Sequence, residues 1–196
     1  VELDRGGKTA NRPLNSLRHI FLLWLPQTYV SQNNRGKVIE TLMKQKEEVA
    51  FKLLLEIAPK SHDTGHHTHK LLWRNRDITS KKVTRQEWAK GISFVREKLI
   101  EVADNRIDRW VEIINLIDDF HNEDRTKLID TITAIPFDGS SEALRFREKL
   151  RQFIWRHETY SAQDWAITSD DLERLKAYHS GLLLTDIDRY YWYFNV

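Results

Sequence analysis

The stretch Thr84 to Val102, TRQEWAKGISFVREKLIEV, indicates the fold class most clearly. Its apolar side chains recur at the three- and four-residue spacing of one helix face, at Trp88, Ile92, Val95, Leu99 and Val102. Thr84 followed by Glu87 has the form of a capping box, in which each side chain bonds the backbone N–H of the other residue. We therefore predict a helix that begins after Thr84 and buries this face.

The same apolar spacing recurs on both sides of this stretch and predicts about nine helices. Pro13 suits a first helical turn, and Pro26 is expected to end that first helix. Because the residues between them are apolar on both faces, we expect this helix to be buried nearly all round. The other boundary signals are caps at Ser31, Thr168 and Thr185, and stops at Pro59 and Gly181.

The helices predicted from Thr84 onward pair at intervals of about 35–40 residues, the size of a helical-hairpin repeat. No strand pattern interrupts them, so we predict an all-α fold built as a solenoid-like array of helical hairpins. Since no known repeat consensus is present, a closed orthogonal helical bundle is the alternative. We treat residues 1–196 as a single all-helical fragment of a larger protein, with a loose connector at 1–12 and a long inter-helix loop at 58–83.

Composition excludes several classes of function. The chain has 40% apolar and 31% charged residues, which argues against disorder, and only 7 Gly and 4 Pro, which argues against an all-β fold. A formal charge of +2 with no basic run gives no support for nucleic-acid binding. Without Cys there is no thiolate catalysis and no zinc–cysteine site. The high Trp count, 7, predicts large side chains buried at helix contacts.

The longest apolar run, Ile20 to Pro26, is far shorter than the roughly 20 residues that span a bilayer. We therefore expect no membrane association and a cytoplasmic location. The chain closes on the aromatic run Tyr190 to Val196, which a natural terminus seldom leaves uncovered. This run is one reason to expect a piece cut from a longer protein.

The segment His62-Asp63-Thr64-Gly65-His66-His67-Thr68-His69-Lys70 is the most suggestive for chemistry. Imidazoles and a carboxylate this close could hold a divalent metal. The sequences His62-Asp63 and Gly65-His66 resemble the metal-binding motif of the HD phosphohydrolases, in which a His-Asp pair on a helix binds the metal ions. Pro59 breaks the helix before the pair, however, and partner ligands would have to come from His19 and from Asp118 or Asp119. The metal reading, with His62, Asp63 and His66 as ligands, is therefore the alternative to a polar loop.

A second acidic cluster runs from Asp118 to Asp124, between two predicted helices. Carboxylates at such a junction favour the start of the next helix through its dipole, so we interpret this cluster as structural. No Gly-rich phosphate loop and no serine nucleophile motif is present, and no catalytic residue or cofactor is predicted.

One resemblance to a known class is carried by Asn11 to Leu22, NRPLNSLRHIFL, followed by WLPQT at 24–28. This segment resembles one that recurs in very large bacterial proteins of the STAND-type, antiphage NTPase class. In those proteins an apolar helix and a His-containing loop follow; here the matching pieces are residues 51–55 with Pro59, then His62, residues 68–70 and residues 73–74. The segment from Asp186 to Phe194 resembles a later part of the same proteins.

The resemblance implies a helical scaffold or sensor region without catalytic activity, which recognises a protein ligand or relays its binding to a nucleotide switch outside this chain. Its partners would be that ligand or neighbouring domains of the same protein. The expected binding surface is the loop, at His62, His69, Lys70, Trp73 and Arg74, with Trp73 and Arg74 as anchors. The alternatives are the HD-type metal enzyme and a purely structural helical spacer.

Overall fold

The computed structural model describes residues 12–25, 28, 30–64 and 83–182, and within these ranges the fold is all-α, as predicted. The α-helices are α1 (Pro13–Phe21), α2 (Gln32–Gln45), α3 (Glu47–Ile57), α4 (Arg85–Ala103), α5 (Ile107–Ile113), α6 (Asn122–Ile132), α7 (Ser141–Thr159) and α8 (Ser169–Gly181), with a 3-10 helix at Ile114–Asp119 between α5 and α6. Both the array of hairpins and the closed bundle are compatible with these helices. None of them combines the length and apolarity needed to cross a membrane.

The helix starts follow the capping signals of the sequence. Thr84 Oγ1 accepts a hydrogen bond from the backbone N–H of Glu87 at 3.1 Å, and the Glu87 carboxylate accepts one from the backbone N–H of Thr84 at 2.9 Å, which confirms the capping box. Ser31 accepts from the N–H of Asn34 at 3.3 Å and Thr168 from that of Asp171 at 3.2 Å. These bonds satisfy N–H groups that the first turn of a helix leaves unpaired. The cap predicted at Thr185 lies outside the described residues.

The chain divides into two compact units, Val1–Val102 and Ala103–Val196. In the first, α3 packs against α1 and α2, and Phe51, Leu53 and Leu54 of α3 are fully buried. Two glycines of this unit leave room for side chains that pack against them. A Cβ atom on Gly36 would lie 3.2 Å from Cζ of Phe94, and one on Gly91 would lie 2.9 Å from Cδ2 of Leu23.

Helix α1 is shorter and more exposed than the sequence predicts. It ends at Phe21 and not at Pro26, and Phe21 is its one buried residue, so the expectation of burial all round was wrong. The chain turns to an extended conformation at Leu22, with φ −47° and ψ 130°. The side chain of Arg35, from α2, donates hydrogen bonds to the carbonyls of Ile20 and Leu22 and so binds the end of α1. A local proline signal gives no hint of that distant contact.

In the second unit, α7 packs against α5 and α8, and Phe146, Leu150 and Phe153 of α7 are buried as its apolar stripe predicts. Trp110 on α5 is wholly buried, and its indole N–H donates to the carbonyl of Asp104 at 2.8 Å. Asp104 has a φ of 42°, the left-handed conformation that Asp tolerates better than most residues.

The tryptophans do not follow the expectation that they would be buried. Among the five that the structure describes, Trp110 is buried, whereas the others are 37–57% exposed: Trp24, Trp88, Trp155 and Trp165. In the apolar stripe of α4, Trp88 is the exposed exception, since the four other members are buried. The core of the described residues therefore consists mainly of Ile, Leu, Val and Phe with Trp110, and the other four indole rings are exposed.

Candidate functional site

The structure describes the start of the His-rich loop and not its remainder. Helix α3 ends at Ile57, two residues before Pro59, so the His-Asp pair lies in irregular chain, as the proline predicts. His62 is exposed and Asp63 is half-buried. The other residues of the predicted binding surface, at 69, 70, 73 and 74, lie outside the described residues, as does His66 of the metal alternative.

The carboxylate of Asp63 is held by two side chains from the first motif. Nη2 of Arg18 donates a hydrogen bond to Oδ1, and the indole N–H of Trp24 donates to Oδ2 at 2.8 Å. The Arg18 and Asp63 side chains are only 13% and 14% exposed, so this ion pair is largely shielded from water. Shielding makes a charge-assisted hydrogen bond stronger than a surface pair of the same geometry.

Arg18 binds more than this one carboxylate. Its Nε donates to the backbone carbonyl of Glu56 at 3.3 Å, and its Nη1 lies 3.5 Å from the carbonyl of Thr64. One guanidinium thus connects α1, the last turn of α3 and the chain after Asp63. Sequence spacing did not predict this contact, because Arg18 and Asp63 are 45 residues apart. The motif itself gave no signal of the contact, because Arg18 is one of two arginines in a segment that also contains Asn, Ser and His.

This geometry changes how the His-Asp pair can be interpreted. Both oxygens of Asp63 already accept a hydrogen bond, and the positive charge of Arg18 beside them disfavours a metal cation at the same carboxylate. Asp118, a partner ligand in the metal alternative, is likewise engaged, as described below. Across 12–25, 28, 30–64 and 83–182, no three His, Asp or Glu residues lie close enough together to hold a metal ion.

A cluster that the sequence did not predict lies in the second unit, around Asp118 at the end of the 3-10 helix. Its Oδ1 is 2.7 Å from Nε2 of His157, and its Oδ2 accepts a hydrogen bond from Arg156. The other ring nitrogen of His157, Nδ1, accepts the backbone N–H of Ile167 at 3.2 Å. Because Nδ1 accepts this hydrogen bond, Nε2 is the ring nitrogen that donates to Asp118.

Arg125 on α6 completes this cluster. It donates to the carbonyls of Phe120 at 2.7 Å, Asp118 at 3.0 Å and Ala166 at 3.4 Å. Burial lowers the pKa of Arg125, and the nearby charges of Asp118, Asp171 and Asp119 oppose that shift. The cluster ties α6, α7, the 3-10 helix and the chain before α8 together, which is a structural arrangement.

The acidic cluster from Asp118 to Asp124 therefore has two roles. Glu123 and Asp124 lie in the first turn of α6, where the helix dipole favours them, as predicted. Asp118 instead makes tertiary contacts with α7, which the dipole argument does not predict. The helix-dipole rule correctly predicted the carboxylates in the first turn of α6. It did not predict that the Asp118 side chain contacts α7, which is distant in the sequence.

Two aromatic rings, those of Phe153 and Trp165, pack against this cluster. The guanidinium of Arg156 lies 5.5 Å from the ring centre of Phe153 and 5.9 Å from that of Trp165. Trp165 also contacts the His157 ring edge-on, with centres 5.2 Å apart, and is itself 38% exposed. The exposed indole of Trp165 thus lies beside the Arg156 and His157 side chains of the cluster.

No protein-family model, curated protein or solved structure has a significant match to this chain. What the chain does is therefore proposed from its own residues and from the resemblance of its motifs.

Proposed function

We propose that this chain is a non-catalytic helical scaffold and ligand-sensing region of a bacterial STAND-like defence protein. It recognises a protein ligand, or passes the binding event to a nucleotide switch that lies outside this chain. The order of its motifs supports this proposal: the segment at 11–28, the apolar helix at 51–55 and the His-containing loop follow one another as in that class.

The observation that carries the proposal is the attachment of the loop to the first motif. Arg18 and Trp24, both inside the motif, hold Asp63 at the start of the loop, and Arg18 also bonds the end of α3. Binding residues on loops act best when a rigid scaffold fixes where the loop begins. The first motif, the end of the apolar helix and the start of the loop therefore meet in one unit of the fold.

The proposed recognition residues are His62, His69, Lys70, Trp73 and Arg74. Trp and Arg dominate the energetics of protein interfaces when they insert into a partner, so Trp73 and Arg74 are proposed as the anchors. No cofactor is required by this role, and the proposed location is the cytoplasm, where an antiphage sensor meets its ligand.

Phage protection by the full-length protein tests this role. Replacing Trp73 and Arg74 together with Ala should reduce protection, measured as efficiency of plating at equal protein abundance. Trp155→Ala with Arg85→Ala is the matched control, since both residues are exposed and lie outside the loop. Protection unchanged by the loop double variant would contradict the sensing role and favour a structural spacer.

The HD-type enzyme makes an opposite prediction for the purified chain. The scaffold role predicts no phosphatase turnover and no stoichiometric metal, measured with a phosphate-ester assay and by elemental analysis after exposure to Mn²⁺ and Zn²⁺. Turnover together with stoichiometric metal, both lost in His62→Ala, would establish the enzyme and overturn the proposal.

A further inference from the structure

A cleft of about 450 Å³ lies in the first unit, between α2 and α4 and beside the end of α1. Its size is within the range of small-molecule sites in proteins. Apolar side chains form most of its wall: Phe21, Leu23, Ile39, Ile57, Phe94 and Val95. Gly36 lines it as well, and its missing side chain leaves room for the ring of Phe94, whose Cζ lies 3.2 Å from where a Cβ atom would be.

Arg35 lines this cleft and is only 6% exposed. Its Nη1 donates to the carbonyls of Leu22 at 3.0 Å and Ile20 at 3.4 Å. A guanidinium has five N–H donors. Within the described part of the chain, the Nε donor of Arg35 is buried without an acceptor, and no carboxylate pairs with its charge.

Among the described residues, two other buried arginine Nε atoms belong to guanidinium groups that, unlike that of Arg35, bind a carboxylate. The Nε atoms of Arg96 and Arg156 are also buried without an acceptor in the described residues, but each guanidinium binds a carboxylate, from Glu97 at 2.8 Å and from Asp118 respectively. Buried charges are normally paired in this way, because removing a lone charge from water is costly. The helix-end carbonyls give Arg35 partial negative charge and no counter-ion.

The rim of the cleft adds further positive charge. Lys37 and Lys90 line it and are exposed, while its one acidic lining residue, Glu40, bonds Lys98 at 3.2 Å. The lining thus holds three cations and one carboxylate that is already engaged. An apolar wall with a cationic base and rim fits a ligand that has an anionic end and an apolar body.

We infer that this cleft is a binding site for a small organic anion, a carboxylate or phosphate monoester carried on an apolar group, with the anion paired to Arg35. The inference is independent of the proposed sensing role, since it involves neither the loop nor its attachment to Arg18. The bound anion would be the counter-ion of Arg35, and the ligand would contact α2, α4 and the end of α1.

Isothermal titration calorimetry on the 196-residue chain tests the site with phenyl phosphate and phenylacetate, and with benzyl alcohol as the uncharged comparator. At least one of the two anions should bind at one molecule per chain and benzyl alcohol should not. Arg35→Met, which keeps the length and removes the charge, should weaken anion binding by at least about tenfold. Arg85→Gln removes an exposed cation of the same unit outside the cleft and should leave the affinity unchanged.

A blocking variant keeps the test decisive if Arg35→Met does not fold. Asn33 is exposed and lines the cleft, so Asn33→Trp should fill the opening and abolish binding while it leaves Arg35 and the end of α1 intact. Circular dichroism confirms that each variant is folded. Saturable binding lost in Asn33→Trp and retained in Arg85→Gln supports the site. No saturable binding of either anion, equal binding of benzyl alcohol, or unchanged affinity in Asn33→Trp would overturn it.

Discussion

In the second unit, the carboxylate of Asp118 lies between Arg156 and His157. In the first unit, the buried guanidinium of Arg35 has only carbonyls as partners among the residues that the structure describes. Both groups connect separate helices, and both are placed by contacts distant in the sequence. The Asp118 cluster places carboxylates beside its cations, Arg156 and Arg125. Arg35 leaves a positive charge at the base of an open cleft.

This difference distinguishes a cluster that stabilises the fold from a cleft that can bind a ligand. A network of paired polar groups rigidifies the elements that it joins. Removing one of its side chains leaves the remaining groups without hydrogen-bond partners. A buried charge without a counter-ion costs stability, and proteins tolerate such costs mainly at functional sites. We therefore regard the Asp118 cluster as structural and the Arg35 cleft as functional.

The largest expected effect is the loss of Asp118. Asp118→Ala leaves His157 without its acceptor and Arg156 without its counter-ion, and should lower the free energy of unfolding by about 3 kcal/mol. Urea denaturation followed by circular dichroism measures this change. Asp164→Ala, at an exposed position of the same unit, should change it by less than about 0.5 kcal/mol. A loss below about 1 kcal/mol for Asp118→Ala would show that the cluster is not a structural network.

A smaller loss is expected at the pair Arg18–Asp63, which shows that the first unit can also pair its charges. Asp63→Asn keeps the shape and removes the charge, and should lower the free energy of unfolding by about 2 kcal/mol. A double-mutant cycle with Arg18→Gln isolates the pair and should give a coupling energy above about 1 kcal/mol. Additive effects of the two substitutions would mean that the contact contributes nothing of its own.

Acid should weaken the second unit through His179. Burial lowers the pKa of this imidazole from 6.5, and the charges of Arg147 and Arg151 lower it further, against a smaller opposing effect of Glu148. The unfolded chain therefore binds this proton at a higher pH than the folded chain does. Stability should be lost as the pH falls below about 6.5. The loss between about pH 7.5 and pH 5.5, measured by urea denaturation, should be smaller in His179→Asn, and equal losses would exclude His179 as the cause.

The smallest effect on stability is expected at Arg35. Arg35→Met loses two hydrogen bonds to carbonyls and also relieves the burial of an unpaired charge, so the free energy of unfolding should change by less than about 1 kcal/mol. The same denaturation experiment measures this change. A loss comparable to that of Asp118→Ala would erase the contrast between the units and make Arg35 a structural residue.

Much of the helical framework could be predicted because its signals are local. Thr84 with Glu87, Ser31 and Thr168 bond N–H groups within their own first turns, so short motifs suffice to place these starts. The early end of α1 could not be predicted, because it involves Arg35, 13 residues beyond Leu22. The exposed indoles of Trp88 and Trp155 were missed for a similar reason, since composition does not tell which face of a helix meets a neighbour.

The candidate site was predicted only in part. His62 and Asp63 were identified from the types of residue in the loop, and the helix break at Pro59 correctly argued against a His-Asp pair on a helix. That Asp63 would bind Arg18 and Trp24 depends on the tertiary fold, as does the pairing of Asp118 with His157. The roles of Trp73 and Arg74 stay predictions, because those residues lie outside the described ranges.

The central claim is that Arg18 holds the start of a sensing loop, and phage protection by full-length Arg18→Gln tests it most directly. Efficiency of plating should show protection reduced as far as in the Trp73 and Arg74 double variant, at equal protein abundance, because the loop loses its fixed base while its own residues are intact. Arg85→Gln, an exposed cation of the same unit, should protect like the unaltered protein. Full protection by Arg18→Gln, with the Arg18–Asp63 coupling confirmed in the purified chain, would contradict the claim.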